Sequence, residues 1–315
     1  MSENHRAFTF PGQGSQSVGM GKALAEASRS AAEVFEEVDD ALSVRLRRLM
    51  WEGPESDLTL TENAQPALMA VGVAAMRVLE RDGGVELAKV ARFVAGHSLG
   101  EYTALAAAGA LRLSDAARLL RLRGQAMQRA VAVGEGAMAA LLGVDMSEVQ
   151  EIIEQAKGSD VLAAANDNAP GQIVISGTAA AVDRAVAFAK TKGKKAIALS
   201  VSAPFHCPLM QPAAEAMAAA LDQVTIQSPT VPLIANVTAA AVQAPAAIRR
   251  LLVEQVTGLV RWRESIEAMT AAGVSVFIEL GAGKALTGMA KRIAKEATAI
   301  SAATPDEIDA LLKTF

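Results

Sequence analysis

Aromatic side chains are scarce in this sequence: Phe, Trp and Tyr together make up 3% of its 315 residues. The hydrophobic fraction of 51% must therefore come mainly from Ala, Leu, Val, Ile and Met. Alanine favours helices and runs of β-branched residues favour buried strands, so the composition predicts a core built from both. A chain of this length can bury one large core or two smaller ones.

Three further shortages narrow the class of protein. The single cysteine, Cys207, cannot form an internal disulfide, which is typical of a protein from a reducing compartment. The net charge of −4 lacks the basic excess of a nucleic-acid binder. No apolar run is long enough to span a membrane, and residues 1–10 lack the basic-then-apolar pattern of a signal peptide. We therefore expect a cytoplasmic protein that binds neither nucleic acid nor membranes.

Strands and helices alternate along most of the chain, which predicts a parallel sheet covered on both faces. Between about residues 136 and 201 the order becomes β-α-β-β-α-β, the signature of a ferredoxin-like unit. We predict an α/β fold with an α/β-hydrolase-like catalytic domain (1–130 and 203–315) and an inserted ferredoxin-like subdomain (131–202). The strands expected in the larger sheet are Ala7–Phe10, Arg92–Gly96, Pro232–Val237 and Val274–Leu280.

The segment Gly96-His97-Ser98-Leu99-Gly100 matches G-x-S-x-G, the strand–turn–helix elbow of serine nucleophiles. Glycines two residues before and after the serine permit the strained turn that this elbow requires. The turn places the hydroxyl at the start of a helix, where free N–H groups can stabilise an oxyanion. A chance match is the alternative, but the position between a strand and an apolar helix favours Ser98 as a nucleophile.

A serine nucleophile needs a general base, which is most often histidine, and the chain has only three. His5 lies in a polar terminal segment that we expect to be mobile. His97 adjoins Ser98, so its side chain should leave the turn in another direction, and we expect it to be structural or to shape the site. His206 remains, in a loop stiffened by Pro204 and Pro208, and we predict that it is the base.

The sequence does not reveal an acidic partner for this histidine. Asp167 and Asp183 lie between Ser98 and His206, the chain order of α/β-hydrolases, but both belong to the inserted unit. A backbone carbonyl is the alternative. Cys207, next to the base, is interpreted as a small buried residue rather than a nucleophile.

One arginine lies on the wrong face of an amphipathic helix that we expect Ser114 to cap. At ~100° per residue, Arg123 falls in the middle of the apolar face. A buried guanidinium needs an anionic partner, because an unpaired buried charge is strongly destabilising. That partner is either an internal carboxylate or a substrate carboxylate held in bidentate fashion, and the nearby Ser98–His206 pair favours the substrate.

Together these residues resemble the malonyl-CoA:acyl-carrier-protein transacylases of fatty-acid synthesis and the related acyltransferase domains of polyketide synthases. The resemblance covers essentially the whole chain. It rests on the seven-residue elbow Gly96–Tyr102 and on the segments Phe10–Gln16, Gln65–Ala67, Arg123-Gly124, Asn166–Gln172, the His206 loop and Gly281–Leu286.

The resemblance implies a role for each matching residue. Ser98 would be acylated, His206 would be its base, and a main-chain carbonyl near Val260–Trp262 would steady the histidine. Arg123 would bind the malonyl carboxylate. Further implied roles concern the oxyanion hole (backbone N–H of Gln13 and Leu99) and the acyl pocket (Gln65, Asn166 and Phe205, whose bulk would crowd a methyl branch).

The implied reaction transfers malonyl from malonyl-CoA to the phosphopantetheine thiol of acyl carrier protein, by a ping-pong route. It needs no metal or cofactor of the enzyme's own. Carrier proteins of this kind are acidic, so a basic surface should receive them. The densest basic cluster is Lys190, Lys192, Lys194 and Lys195, with Lys291 and Arg292 as a second candidate.

Three alternative functions remain at this point. A serine hydrolase would share the nucleophile and base, although Arg123 would still call for an anionic acyl chain. A transacylase for another acyl group or pathway is the second, with Arg123 disfavouring acetyl and Phe205 disfavouring methylmalonyl. A catalytically silent carrier-binding protein is the third, and the joint presence of Ser98, His206, Arg123 and Gln13 argues against it.

Overall fold

A computed structural model of the protein describes residues 5–315. Residues 1–4, which belong to the predicted catalytic domain and to the segment tested for a signal peptide, lie outside the described residues. The strands are β1 (Arg6–Phe10), β2 (Phe93–Gly96), β3 (Gly136–Leu142), β4 (Leu162–Ala169), β5 (Gln172–Thr178), β6 (Lys195–Ala198), β7 (Leu233–Ala235), β8 (Ala240–Val242), β9 (Val276–Leu280) and β10 (Thr298–Ala302).

Helices connect and cover these strands, and the segment Pro208–Met210 forms a short 3₁₀ turn. Among the described residues, no helix combines the length and the apolar character needed to cross a membrane. The α-helices are α1 (Lys22–Ala27), α2 (Arg29–Leu42), α3 (Leu46–Glu52), α4 (Glu55–Thr59), α5 (Thr61–Arg81), α6 (Leu87–Val90), α7 (Gly100–Ala107), α8 (Leu113–Ala130), α9 (Met146–Lys157), α10 (Ala179–Thr191), α11 (Gln211–Leu221), α12 (Pro245–Thr257), α13 (Trp262–Ala271), α14 (Ala285–Ile293) and α15 (Pro305–Leu312).

The larger sheet has the order β10-β9-β1-β2-β7-β8. Its first five strands are mutually parallel, and β8 pairs with β7 in the antiparallel direction. The predicted α/β class with a parallel sheet is therefore confirmed. Residues on both faces of β1 and β2 are buried, as expected for a sheet with helices on both sides. This arrangement places the end of β2, and the elbow after it, at the carboxyl edge of the sheet, where parallel α/β folds bind ligands.

The smaller sheet is antiparallel and has the order β4-β5-β3-β6. One face packs against α9 and α10 in a core of its own, which includes Leu141, Ile153 and Ile175. The opposite face carries Met138 and Val174, which line a cavity between the two sheets. The residues expected to form a separate unit thus supply one side of the site.

Two local predictions were wrong, and three short elements of the structure were not predicted. Helix α8 starts two residues earlier than expected, because Leu113 is itself buried; its N-cap is Arg112 rather than Ser114. The short strand β8 was not predicted. Neither were β10 and α15, which follow α14. His5, which we expected to be mobile, is instead held to the sheet. Its carbonyl accepts hydrogen bonds from the N–H groups of Ser275 and Val276.

Candidate active site

Ser98 occupies a sharp turn between β2 and α7. Its φ of 54° lies in the left-handed region that is uncommon for residues other than glycine. A Cβ atom on Gly96 would lie 1.9 Å from the carbonyl of Gly100, and one on Gly100 would lie 2.2 Å from the carbonyl oxygen of Phe10. Both glycines are therefore needed for the chain to close this turn, as the sequence motif predicts.

Asn236 holds the turn from the neighbouring strand. Its Oδ1 accepts a hydrogen bond from the N–H of Ser98 at 2.8 Å, and its Nδ2 donates to the carbonyl of Gly96 at 2.7 Å. Asn236 follows β7, which pairs with β2, so the sheet brings it to the elbow. Sequence reasoning missed this residue, because nothing local in the chain links it to Ser98.

His206 lies with its Nε2 2.7 Å from the Oγ of Ser98. Its Nδ1 lies 2.8 Å from the backbone carbonyl of Gln255. A carbonyl can only accept, so Nδ1 carries the proton and Nε2 is free to accept the serine proton. Burial, reinforced by the positive charge of Arg123, lowers the pKa of His206 to about 3, which favours the neutral imidazole.

The carbonyl that holds the base was expected near Val260–Trp262, and that position was wrong. Gln255 lies in the last turn of α12, where carbonyls lack helical partners. The carbonyl of Val260 instead accepts the N–H of Asp167, and the N–H of Val260 donates to Ala165. The segment after α12 thus forms hydrogen bonds with β4 of the smaller sheet, while the carbonyl at the end of α12 holds the histidine.

Arg123 is buried, with 1% of its surface exposed, as its place on the apolar face of α8 predicts. Its Nη1 donates to the Oε1 of Gln65 at 2.8 Å, and its Nη2 donates to the Oε1 of Gln255 at 2.9 Å. Nη2 also lies 3.1 Å from the Oγ of Ser98. None of these acceptors is a carboxylate, so the described residues do not neutralise the guanidinium by a direct ion pair.

A cavity of about 350 Å³ opens between the two sheets. Neither the N–H of Gln13 nor that of Leu99 donates to another group among the described residues. The cavity wall includes all eight residues selected from the sequence, which are Gln13, Gln65, Ser98, Leu99, Arg123, Asn166, Phe205 and His206.

Other candidates from the sequence lie away from the reacting groups. Asp167 is buried and pairs with Arg263 at 2.8 Å, and Asp183 is exposed on α10, so neither contacts the base. Cys207 is buried, and its Sγ donates to the carbonyl of Pro204. His97 lines the cavity, where its Nε2 lies 2.8 Å from the Oδ1 of Asn168.

Within residues 5–315, no group of three or more His, Cys, Asp or Glu side chains is arranged to bind a metal. The chemistry offered by the cavity is that of a serine nucleophile with a neutral imidazole base and a buried cation beside it. These groups suit the transfer of an anionic acyl group.

A family model described as "Acyl transferase domain" matches residues 7–305. The chain belongs to this acyl transferase family. It is 44% identical over 311 residues to the malonyl CoA-acyl carrier protein transacylase of Bacillus subtilis (strain 168), a match that covers 98% of this chain and 96% of that protein. These findings confirm the resemblance drawn from the sequence, and the chain is an acyltransferase.

Solved structures agree with this family. An acyl-carrier-protein-S-malonyltransferase from Bartonella henselae superimposes with a TM-score of 0.96 at 57% identity, covering 98% of both chains. A malonyl-transacylase solved in complex with its type II PKS acyl-carrier protein gives a TM-score of 0.95 at 39% identity, covering 99% of this chain and 100% of that one.

The lowered pKa of His206 in this acyltransferase predicts a neutral base throughout the physiological range. In a protein with labelled histidine, we expect the ring signals of His206 to stay at their neutral positions from about pH 7.5 to about pH 5. The signals are assigned by their loss in His206→Ala. A midpoint between about pH 6 and 7 for these signals would show that burial and Arg123 do not set the protonation state.

Proposed function

We propose that this acyltransferase moves a malonyl group from malonyl-CoA to the phosphopantetheine thiol of an acyl carrier protein, through a malonyl-Ser98 ester. The reaction supplies extender units for fatty-acid synthesis. One observation carries the proposal: the Oγ of Ser98 lies 2.7 Å from the Nε2 of His206 and 3.1 Å from the Nη2 of Arg123. Nucleophile, base and anion-binding group thus meet at one atom.

In the first half-reaction, the Ser98 hydroxyl gives its proton to the Nε2 of His206 as its oxygen attacks the thioester carbonyl. The tetrahedral intermediate collapses, the C–S bond breaks, and His206 returns the proton to the leaving thiolate of coenzyme A. In the second half-reaction, His206 takes the proton of the carrier thiol as its sulfur attacks the malonyl ester. The ester C–O bond then breaks, and His206 returns the proton to the Oγ of Ser98. The bond between Nδ1 of His206 and the Gln255 carbonyl keeps the ring correctly oriented in both steps.

The backbone N–H groups of Gln13 and Leu99 stabilise the oxyanion of both tetrahedral intermediates in this proposal. They border the cavity beside Ser98 and have no competing acceptor among the described residues. Leu99 directly precedes α7, so its N–H belongs to the unpaired donors of a helix start. Donors fixed in advance at this position would stabilise the developing negative charge without reorganisation.

Arg123 binds the malonyl carboxylate, and Gln65 orients the guanidinium by accepting from its Nη1. The proposal is supported by the burial of Arg123 and by its neutral amide partners, which leave its charge available to a substrate. Asn166 and Phe205 complete the acyl pocket. Phe205 is half-buried in the cavity wall, where its ring would restrict the space for a branched acyl chain such as methylmalonyl.

The carrier protein docks on a basic surface, for which the chain offers two candidates. In the lysine cluster, Lys192 and Lys194 already form ion pairs with Glu151 and Glu148 on α9. The other candidate lies on α14, which also contributes residues to the cavity wall. The lysine cluster comprises Lys190, Lys192, Lys194 and Lys195. The candidate on α14 comprises Lys291 and Arg292.

The finer architecture belongs to the same proposal. Residues 131–202 form an inserted ferredoxin-like subdomain, and residues 1–130 and 203–315 form an α/β-hydrolase-like catalytic domain. The strand order β4-β5-β3-β6 supports the first assignment and the elbow after β2 supports the second. We also propose a cytoplasmic location and a reaction that uses the two thioesters without a further cofactor or metal.

A transfer assay tests the function against the hydrolase alternative. Purified protein is mixed with malonyl-CoA and holo-acyl carrier protein, and malonyl-carrier and free malonate are quantified together. We expect malonyl-carrier as the main product, with little malonate and no turnover by Ser98→Ala. Malonate formed at the same rate with and without carrier would support a hydrolase and contradict the proposal.

A further inference from the structure

One buried carboxylate near the nucleophile has no part in the reaction described above. Glu101 lies in the first turn of α7, three residues after Ser98, and 1% of its surface is exposed. Its Oε2 accepts a hydrogen bond from the Nε2 of Gln255 at 2.6 Å and a longer one from the N–H of Asn236 at 3.4 Å. Burial raises the pKa of Glu101 to about 7, partly offset by these bonds.

Glu101 contacts Gln255, which in turn forms hydrogen bonds with Ser98, Arg123 and His206. Its carbonyl accepts from His206, its Nε2 donates to the carbonyl of Ser98 at 2.9 Å, and its Oε1 accepts from Arg123 at 2.9 Å. The side-chain amide can serve Arg123 only when its oxygen faces the guanidinium and its nitrogen faces the elbow. The orientation of this amide therefore decides whether Gln255 can hold Arg123.

We propose that Glu101 is a positioning residue for malonyl recognition, which fixes the Gln255 amide so that its oxygen holds Arg123. An ionised carboxylate only accepts hydrogen bonds, so it selects the orientation in which Nε2 of Gln255 faces it. The flipped amide would set its NH₂ against the guanidinium and its oxygen against the carboxylate of Glu101 and the carbonyl of Ser98. Both contacts would be repulsive in a buried site.

The same arrangement leaves Arg123 with its positive charge and without a direct ion pair to Glu101. Glu101 lies one amide group away from the guanidinium, so it balances the buried charge without forming an ion pair with it. A direct ion pair would occupy the donors that the substrate carboxylate needs. This inference rests on the proposed function, because it concerns how the site selects a malonyl over an uncharged acyl group.

Glu101→Gln tests the inference at about pH 8, where most of the wild-type carboxyl is ionised. The new amide both donates and accepts, so it no longer contributes to the preference for one orientation of Gln255. We expect kcat/KM for acylation by malonyl-CoA to fall by about 10- to 100-fold, mainly through KM, while acylation by acetyl-CoA changes by less than about threefold. In an Arg123→Met background, Glu101→Gln should change neither rate further.

Glu279→Gln is the matched control. Glu279 is equally buried, but it holds the start of α14 through the N–H groups of Leu286 and Thr287. This variant should lower the thermal midpoint and leave the malonyl-to-acetyl ratio unchanged. Gln255→Met, which keeps the backbone carbonyl for His206, supplies a second test and should lose malonyl selectivity as Glu101→Gln does.

The outcomes separate this inference from the proposed function. Wild-type protein that is not acylated by malonyl-CoA would refute the proposed function. Normal wild-type acylation combined with equal losses for malonyl and acetyl in Glu101→Gln would overturn the role of Glu101. An unchanged ratio in Gln255→Met, or a further loss in the Arg123→Met background, would also overturn it.

Discussion

Replacing Arg123 with methionine is expected to lower malonyl acylation of Ser98 by about 10²–10⁴-fold. Methionine keeps much of the side-chain length inside a buried helix face but removes the charge that would bind the carboxylate. Removing one partner of a buried charge pair costs about 3–5 kcal/mol, and each 1.4 kcal/mol is about a factor of ten. The measurement is the single-turnover rate of acyl-enzyme formation with malonyl-CoA.

The effect should depend on the substrate carboxylate. Acetyl-CoA lacks this group, so its acylation rate should be unchanged or higher in Arg123→Met, and the preference of the enzyme should shift towards acetyl. Arg121→Met on the same helix is the control, because Arg121 pairs with Glu62 outside the cavity wall. Equal losses with malonyl and acetyl in Arg123→Met would contradict binding of the malonyl carboxylate by Arg123 and would indicate a structural role for this residue.

Replacing His206 with alanine is expected to slow acylation by malonyl-CoA by about 10²–10⁴-fold, the usual contribution of a general acid–base group. The Nε2 of His206 lies within hydrogen-bond distance of the Ser98 hydroxyl and can accept the hydroxyl proton. The Nη2 of Arg123 also contacts this oxygen, but a guanidinium has no free acceptor. Rapid-quench measurement of the acyl-enzyme gives the rate.

His97→Gln provides the control for this second prediction. His97 is a partly buried histidine in the same turn, but its Nε2 bonds to Asn168 rather than to Ser98. Its replacement should therefore slow acylation far less than His206→Ala. A His206→Ala protein that folds, as judged by its thermal midpoint, and still acylates at the wild-type rate would rule out the assigned base.

The reacting residues could be selected from the sequence because each leaves a local sign. The glycines around Ser98 mark a turn that only small residues allow, and both glycines prove to be in close contact with backbone. Arg123 stood out by its phase on a helix, since a charge on an apolar face needs a reason to be buried. His206 was reached because a chain with three histidines leaves few alternatives.

The residues that support the site could not be selected in this way. Asn236 and Gln255 lie 138 and 157 positions from Ser98 along the chain, and only the folded sheet brings them together. An amide side chain and a backbone carbonyl carry no distinctive pattern of spacing or charge. The carbonyl that holds His206 was consequently placed on the wrong residue.

The elements of the fold also differ in how far the sequence predicts them. Strands buried on both faces, such as β1 and β2, produce apolar runs that predict a parallel sheet. Short edge elements such as β8 do not, because three residues that are mostly exposed give no periodic signal. The start of α8 was misplaced because burial of Leu113 outweighed the capping preference of Ser114.

Intact-protein mass spectrometry after brief mixing with malonyl-CoA, methylmalonyl-CoA or acetyl-CoA tests the central claim most directly. We predict a single malonyl adduct that maps to Ser98, is absent from Ser98→Ala, and disappears when holo-acyl carrier protein is added. The adduct should be weaker with the other two donors. Malonyl-carrier that forms without any adduct, or an adduct that persists in Ser98→Ala, would contradict a reaction through a malonyl-Ser98 ester.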